Sequence, residues 1–213
     1  MEGAAMIYVV DDDAAVLSSL QALFSAHNYQ VQCFSSADLF LREVPLHRRG
    51  CVVTDVAMPG MTGVDLVRRL HEAKSPMSVV VVTGVANVPM AVTLMEYGAV
   101  TLLEKPYDSQ QLLRAVDRGL TLSGQQCEQS QREQEVQRRL NQLSDEERAV
   151  MDRLLADKPN KAISAELHLS LRTVDRRRQS VLEKLGVASV PEMALMLGPL
   201  RSAELAGRQR VMQ

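Results

Sequence analysis

Short apolar runs recur along the first half of this chain, and most stop on a residue able to do chemistry. Ile7-Tyr8-Val9-Val10 leads into Asp11, Asp12 and Asp13, and Cys51-Val52-Val53-Thr54 leads into Asp55. Val79-Val80-Val81-Val82 leads into Thr83, and Leu102-Leu103 closely precedes Lys105-Pro106. Runs of this length and β-branched content read as buried strands. Between them, Val16, Leu17, Leu20, Leu23 and Phe24 have helical spacing, as do Leu66, Val67 and Leu70, and then Val88, Ala91, Val92 and Met95. Asn87 is suited to cap the last of these helices and Gly98 to end it. Strands expected at 5–10, 30–34, 50–54, 78–82 and 100–103, alternating with helices, imply an α/β fold: a five-stranded, doubly wound parallel sheet.

In such a sheet, ligands gather beyond the carboxyl ends of the strands. The pattern therefore assembles three or more carboxylates, one hydroxyl and one ammonium at one edge. Carboxylates so close together call for a hard cation such as Mg²⁺. The set suits phosphoryl chemistry on a carboxylate.

The rest of the chain has a different character. From 123 to 143 the sequence turns to Gln, Glu, Ser and Arg with almost no apolar period, which reads as a solvated, partly helical linker. Beyond it, Ser144 with Glu147 forms a capping-box pattern ahead of Val150, Met151, Leu154 and Leu155. Pro159-Asn160 restarts a helix with Ile163 and Leu167. Ser170 caps a third with Val174, Val181, Leu182 and Leu185 on its buried side, and Ser189 and Pro191 open a fourth. A short helix, a brief turn and an Arg-rich helix form a helix-turn-helix pattern. The expected division is 1–122, 123–143 and 144–213.

Charge follows this division. Nine basic against thirteen acidic residues lie in 1–122, three against three in 123–143, and twelve against ten in 144–213. A mildly basic tail is weak support for nucleic acid by itself. No long uncharged apolar span and no basic-then-apolar leader is present, so neither membrane insertion nor secretion is expected. Cys33, Cys51 and Cys127 lack metal-ligand spacing and read as reduced thiols of a cytoplasmic protein, two of them in buried strands.

The joint set of Asp11-Asp12, Asp55-Val56-Ala57-Met58-Pro59 with Gly63, Thr83-Gly84 and Lys105-Pro106 resembles the receiver domain of two-component response regulators, a flavodoxin-like fold. The stretch 143–197 resembles the LuxR-type helix-turn-helix of the NarL/FixJ class, through Pro159-Asn160-Lys161, Ile163-Ser164-Ala165-Glu166-Leu167, Arg172-Thr173-Val174 and Glu183-Lys184-Leu185-Gly186-Val187. The first resemblance implies that Asp55 accepts a phosphoryl group from a sensor histidine kinase. Asp12, Asp55 and the Ala57 carbonyl would hold Mg²⁺, with Asp11 acting through water, and Lys105 and Thr83 would contact the phosphoryl oxygens. The second implies promoter DNA as a partner, with base contacts from Asp175, Arg176 and Gln179 and phosphate contacts from Arg172 and Thr173. Arg178 belongs to the same DNA-binding set.

Together they imply a cytoplasmic, phosphorylation-dependent transcriptional regulator, not an enzyme, which dimerises on phosphorylation and engages RNA polymerase. Two positions depart from these patterns: Arg177 stands where a His is common, and Leu102 where receivers usually carry an aromatic ring. On the helix from 88 to 97, the periodicity suggests Val88, Ala91, Val92 and Met95 for the core. Met90, Leu94 and Tyr97 are left for a regulated interface. Two rival readings are an aspartyl-phosphate phosphatase, which would want an acid where Ala57 stands, and an adaptor whose C-terminal helices bind protein.

Overall fold

The computed structural model describes residues 6–198; residues 1–5 and 199–213, which include the start of the strand expected at 5–10 and the end of the segment expected at 144–213, lie outside the described residues. The chain divides into two units, the first ending at Glu128 and the second starting at Gln129.

The first unit alternates β1 (Met6–Val10), α1 (Ala14–Ala26), β2 (Gln30–Phe34), α2 (Ala37–Glu43), β3 (Gly50–Asp55), α3 (Gly63–Glu72), β4 (Ser78–Thr83), α4 (Val88–Glu96) and β5 (Thr101–Glu104). It closes with the start of α5 (Ser109–Leu140). All five strands are parallel, in the order β2-β1-β3-β4-β5. Alternate residues serve opposite faces, as the strand period of two requires. Tyr8, Val10, Val52, Val79 and Val81 join one core with α2, α3 and Leu94 of α4. Ile7, Val9, Cys51, Val53, Val80 and Val82 join the other with α1 and the Leu112–Val116 turn of α5. Cys51 is buried as its strand implies, but Cys33 lies on the edge strand β2 and is only half-buried.

Caps set where the helices begin. Asp13 accepts the amide of Ala15 at 2.8 Å and starts α1, and Asn87 accepts the amide of Met90 at 2.9 Å and starts α4. Gly98 then leaves α4 with a φ of +85°, where a side chain would be strained.

Helix α5 runs unbroken through the Gln- and Glu-rich stretch. Its last turns belong to the second unit, where Val136 and Leu140 pack against a core of Leu143, Val150, Met151, Leu154, Ile163, Val174, Val181, Leu185, Met193 and Leu197. That unit continues with α6 (Asp145–Leu155), α7 (Asn160–Glu166) and α8 (Leu171–Leu185), followed by helical residues 190–198. Ser144 and Glu147 close a reciprocal capping box at the head of α6. Ser170 caps α8, and Gly186 terminates it in the left-handed conformation.

Candidate functional site: a phosphoryl-acceptor pocket and a DNA-reading helix

The strand register explains the first site. Val10 pairs with Thr54, Asp55 with Val82, and Thr83 with Glu104, so Asp11, Asp55, Thr83 and Lys105 all emerge at one edge. The Lys105 amide donates to the Thr83 carbonyl at 2.7 Å, which extends the ladder by one residue and aims the ammonium into the pocket. Its Nζ lies 3.5 Å from Asp11 Oδ2 and 3.6 Å from Asp55 Oδ1. Among the described residues, Asp55 Oδ1 is one of three buried side-chain polar atoms without a hydrogen-bond partner. A carboxylate oxygen left this way is costly unless a ligand completes it.

Asp11 is almost fully buried, and burial pushes its carboxyl above the ordinary range. The Asp13 amide and Lys105 oppose that shift, while the Asp55 charge adds to it. Asp12 is exposed at the rim. Two carboxylates, Asp11 and Asp55, thus share a single ammonium, which leaves an excess of negative charge for a cation to offset. Among the described residues no three His, Cys, Asp or Glu side chains converge into a cage of their own. Mg²⁺ keeps several waters and takes one or two carboxylates together with phosphoryl oxygens, and Asp11 with the Asp55 oxygen that lacks a hydrogen bond offers donors of that kind. The residues therefore fit the ion.

Close packing holds Asp55 in place. A Cβ at Gly63 would fall 2.1 Å from the Asp55 carbonyl oxygen, so only glycine lets α3 start so near the end of β3. The Gly63 amide donates to the Val56 carbonyl at 3.0 Å, which fixes the loop carrying Ala57. Thr83 is buried, and its hydroxyl accepts the Val85 amide at 3.2 Å. Ala57 and Val85, both exposed, flank the pocket with no polar side-chain atom.

The second site lies on α8. Val174, Val181 and Leu185 are buried, and Arg172, Arg176 and Gln179 are exposed on the opposite side. Arg178 is half-buried. Two expected DNA contacts are already engaged within the protein. Asn160 Nδ2 donates to Asp175 Oδ1, and Thr173 closes the helix cap with Ser170, hydroxyl to hydroxyl at 2.8 Å. Arg177 pairs with Glu146 of α6. Glu147 was legible only as a capping residue, but it also accepts Lys184 Nζ at 2.7 and 2.9 Å and Ser180 Oγ at 2.7 Å. These bonds, the Lys184 pair first among them, hold its carboxyl down to about 2.

The expected interface on α4 needs correction. Leu94 is fully buried, and Met90 and Tyr97 pack against the same core. Val88, Val92 and Met95 are the exposed side, at 76%, 52% and 44%. Both stripes have i, i+4, i+7 spacing, so periodicity alone could not say which one faces the sheet. Met90, Leu94 and Tyr97 belong to the same cluster as Ala99 and Leu102.

Residues 7–117, more than half of the chain, match the family described as response regulator receiver domain. The chain is a response regulator. Residues 141–197 of the regulator match bacterial regulatory proteins of the luxR family. It is 41% identical to transcriptional regulatory protein FixJ of Azorhizobium caulinodans, over 90% of this chain and 92% of that one. It is 34% identical to response regulator protein TodT of Pseudomonas putida, over 94% and 88%. Among solved structures, response regulator StyR matches 92% of this chain and all of its own at TM-score 0.83 and 29% identity. Full-length FixJ from B. japonicum matches 91% and 95% at TM-score 0.55 and 35% identity. The response regulator thus joins a receiver to a LuxR-type DNA-binding domain, as transcriptional regulators of the NarL/FixJ class do, and stands apart from the phosphatases. Among the described residues no helix is long and apolar enough to cross a membrane.

Proposed function

We propose that the regulator takes a phosphoryl group on Asp55 from a sensor histidine kinase and, in that state, dimerises and binds promoter DNA through α8. The observation that carries the reading is the buried Asp55 Oδ1, which has no hydrogen-bond partner and lies beside Lys105 and Asp11. Asp55 attacks the donor phosphorus, and the kinase histidine leaves with the bonding pair. Asp11, Asp12, Asp55 and the Ala57 carbonyl would hold Mg²⁺. When bound, the ion neutralises the carboxylates and the transferred oxygens. Lys105 then pairs with one phosphoryl oxygen and Thr83 donates its hydroxyl to another. To do so Thr83 must release Val85, which moves the loop entering α4.

In functional terms, 1–122 receives, 123–143 connects and 144–213 reads DNA, in the cytoplasm, with RNA polymerase as a further partner. Exposed Val88, Val92 and Met95 support a self-association surface on α4. Arg176 and Gln179, exposed and uncommitted to the core, suit base edges, and Arg172 suits a phosphate.

The test combines phosphorylation by a small phosphodonor with gel shifts on genomic fragments across a salt series. Asp55→Asn should abolish labelling and the gain in DNA affinity. Val92→Asp should keep labelling but remain monomeric in ultracentrifugation. Arg176→Ala should relax preference at one base pair, whereas Arg172→Ala should weaken all sequences alike and flatten the salt dependence. Labelled protein with no DNA affinity on any fragment would defeat the reading.

A further inference from the structure

The last turns of α5 do more than reach the DNA-binding unit, because one side chain there is bonded to the end of the recognition helix. Arg139 Nη1 donates to the carbonyl of Leu185, the final residue of α8, at 2.7 Å. Its Nε donates at 2.8 Å to Glu135, one turn earlier on α5. A helix C-terminus carries unsatisfied carbonyls and partial negative charge, so a guanidinium there meets both needs at once. The approach depends on glycine: a Cβ at Gly186 would fall 2.6 Å from Arg139 Nη1.

The base of this strut is itself fixed. Arg148 of α6 caps the end of α5 by donating to the Leu140 carbonyl at 2.7 Å, and Val136 and Leu140 are packed into the core. Elsewhere α8 is tied by Ser170 at its head, Asp175 to Asn160, Arg177 to Glu146, and Lys184 to Glu147. All of those partners lie in the loop before α8 or on α6 and α7. Arg139 adds a bond from the connecting helix, at the C-terminal end of α8, about 14 Å along the axis from Arg176.

We propose that Arg139 is a positioning residue for DNA recognition: it sets the C-terminal end of α8 against the connecting helix and so fixes how the helix presents Arg176 and Gln179. This rests on α8 being the DNA-reading helix. Hydrogen bonds to base edges tolerate only a few tenths of an ångström, so an end freed to shift costs affinity without loss of any direct contact.

The experiment uses the full-length phosphorylated protein and its best duplex selected from a randomised pool. Arg139→Ala should weaken binding to that duplex roughly tenfold and leave the slope of affinity against salt unchanged. It should also speed hydrogen exchange at the Gly186 and Val187 amides while α6 stays protected. Arg139→Lys, which keeps one donor but not the fork, should recover part of the affinity. A salt slope flatter by about one phosphate contact would make Arg139 a direct DNA contact and overturn the proposal. Parental affinity with parental exchange would also overturn it, as would exchange raised evenly across α6, α7 and α8. A parent protein that binds no duplex would refute the functional reading instead, and the exchange measurement would still decide the strut.

Discussion

Glu147 offers a sharp test of what holds the DNA-binding unit together. Glu147→Gln removes the charge but nearly preserves shape, at a side chain only 11% exposed. The native carboxylate accepts Lys184 twice, Ser180 once and the Ser144 amide at 2.8 Å. Its carboxyl moves from 4.5 to about 2 on folding, and that difference corresponds to roughly 3 kcal/mol. Lys184 is 37% exposed, so solvent screening lowers the figure to about 2 kcal/mol, within the range for charged hydrogen bonds. For a unit of this size that is a fall of roughly 10 °C in Tm. Because the folded carboxyl sits below its ordinary value, its contribution is complete above pH 4.5 and is lost as pH falls toward 2.

The sequence supplies the assay. There is no Trp, and all four Tyr and three Phe lie at or before Tyr107, so tyrosine fluorescence reports the receiver alone. Far-ultraviolet circular dichroism senses the helices of both units. Glu147→Gln should lower the midpoint of helix loss that leaves tyrosine emission unchanged, and the difference from parent should vanish near pH 2. An unchanged midpoint at pH 7, or a difference that persists undiminished at pH 2, would refute the reasoning.

Other outcomes follow from the receiver pocket. Asp11 is raised by burial, so its ionisation opposes folding at neutral pH, a cost present above the ordinary carboxylate range and absent below it. Asp11→Asn should therefore raise the receiver midpoint seen by tyrosine emission while weakening Mg²⁺-dependent labelling of Asp55. Gly63→Ala must displace the Asp55 carbonyl and should cost about 2 kcal/mol together with most of the labelling, read by urea unfolding and phosphodonor assay. Ala57 and Val85 provide no side chain to orient a hydrolytic water, so phosphorylated Asp55 should decay slowly, and Ala57→Asn or Val85→Glu should hasten the decay in a loss-of-label time course.

The parallel sheet, and the meeting of Asp11, Asp55, Thr83 and Lys105 at one edge, were legible because four of the five strand runs lead into one of these residues; period and register then follow from local rules. Helix starts at Asn87, Ser144 and Ser170 were legible for the same reason. The contacts of α8 were not. Arg177 finds Glu146 and Glu147 finds Lys184 across more than thirty positions, a pairing that no local spacing encodes. Asp175 looked free to meet DNA until Asn160 came beside it. On α4 two stripes of equal period competed, and spacing alone does not choose between them.

Strand β4 carries a liability that its position conceals. Ser78-Val79-Val80-Val81-Val82-Thr83 is uncharged, β-branched after its first residue and entirely buried, paired with β3 on one edge and with the four-residue β5 on the other. A segment of that composition has the signature of cross-β assembly once its edge is free. Receiver variants that loosen β5 should therefore leave solution as aggregates instead of accumulating as soluble unfolded chains. Truncations ending before Thr101 should behave in the same way, and recovery in the soluble fraction becomes the sensitive gauge of receiver integrity.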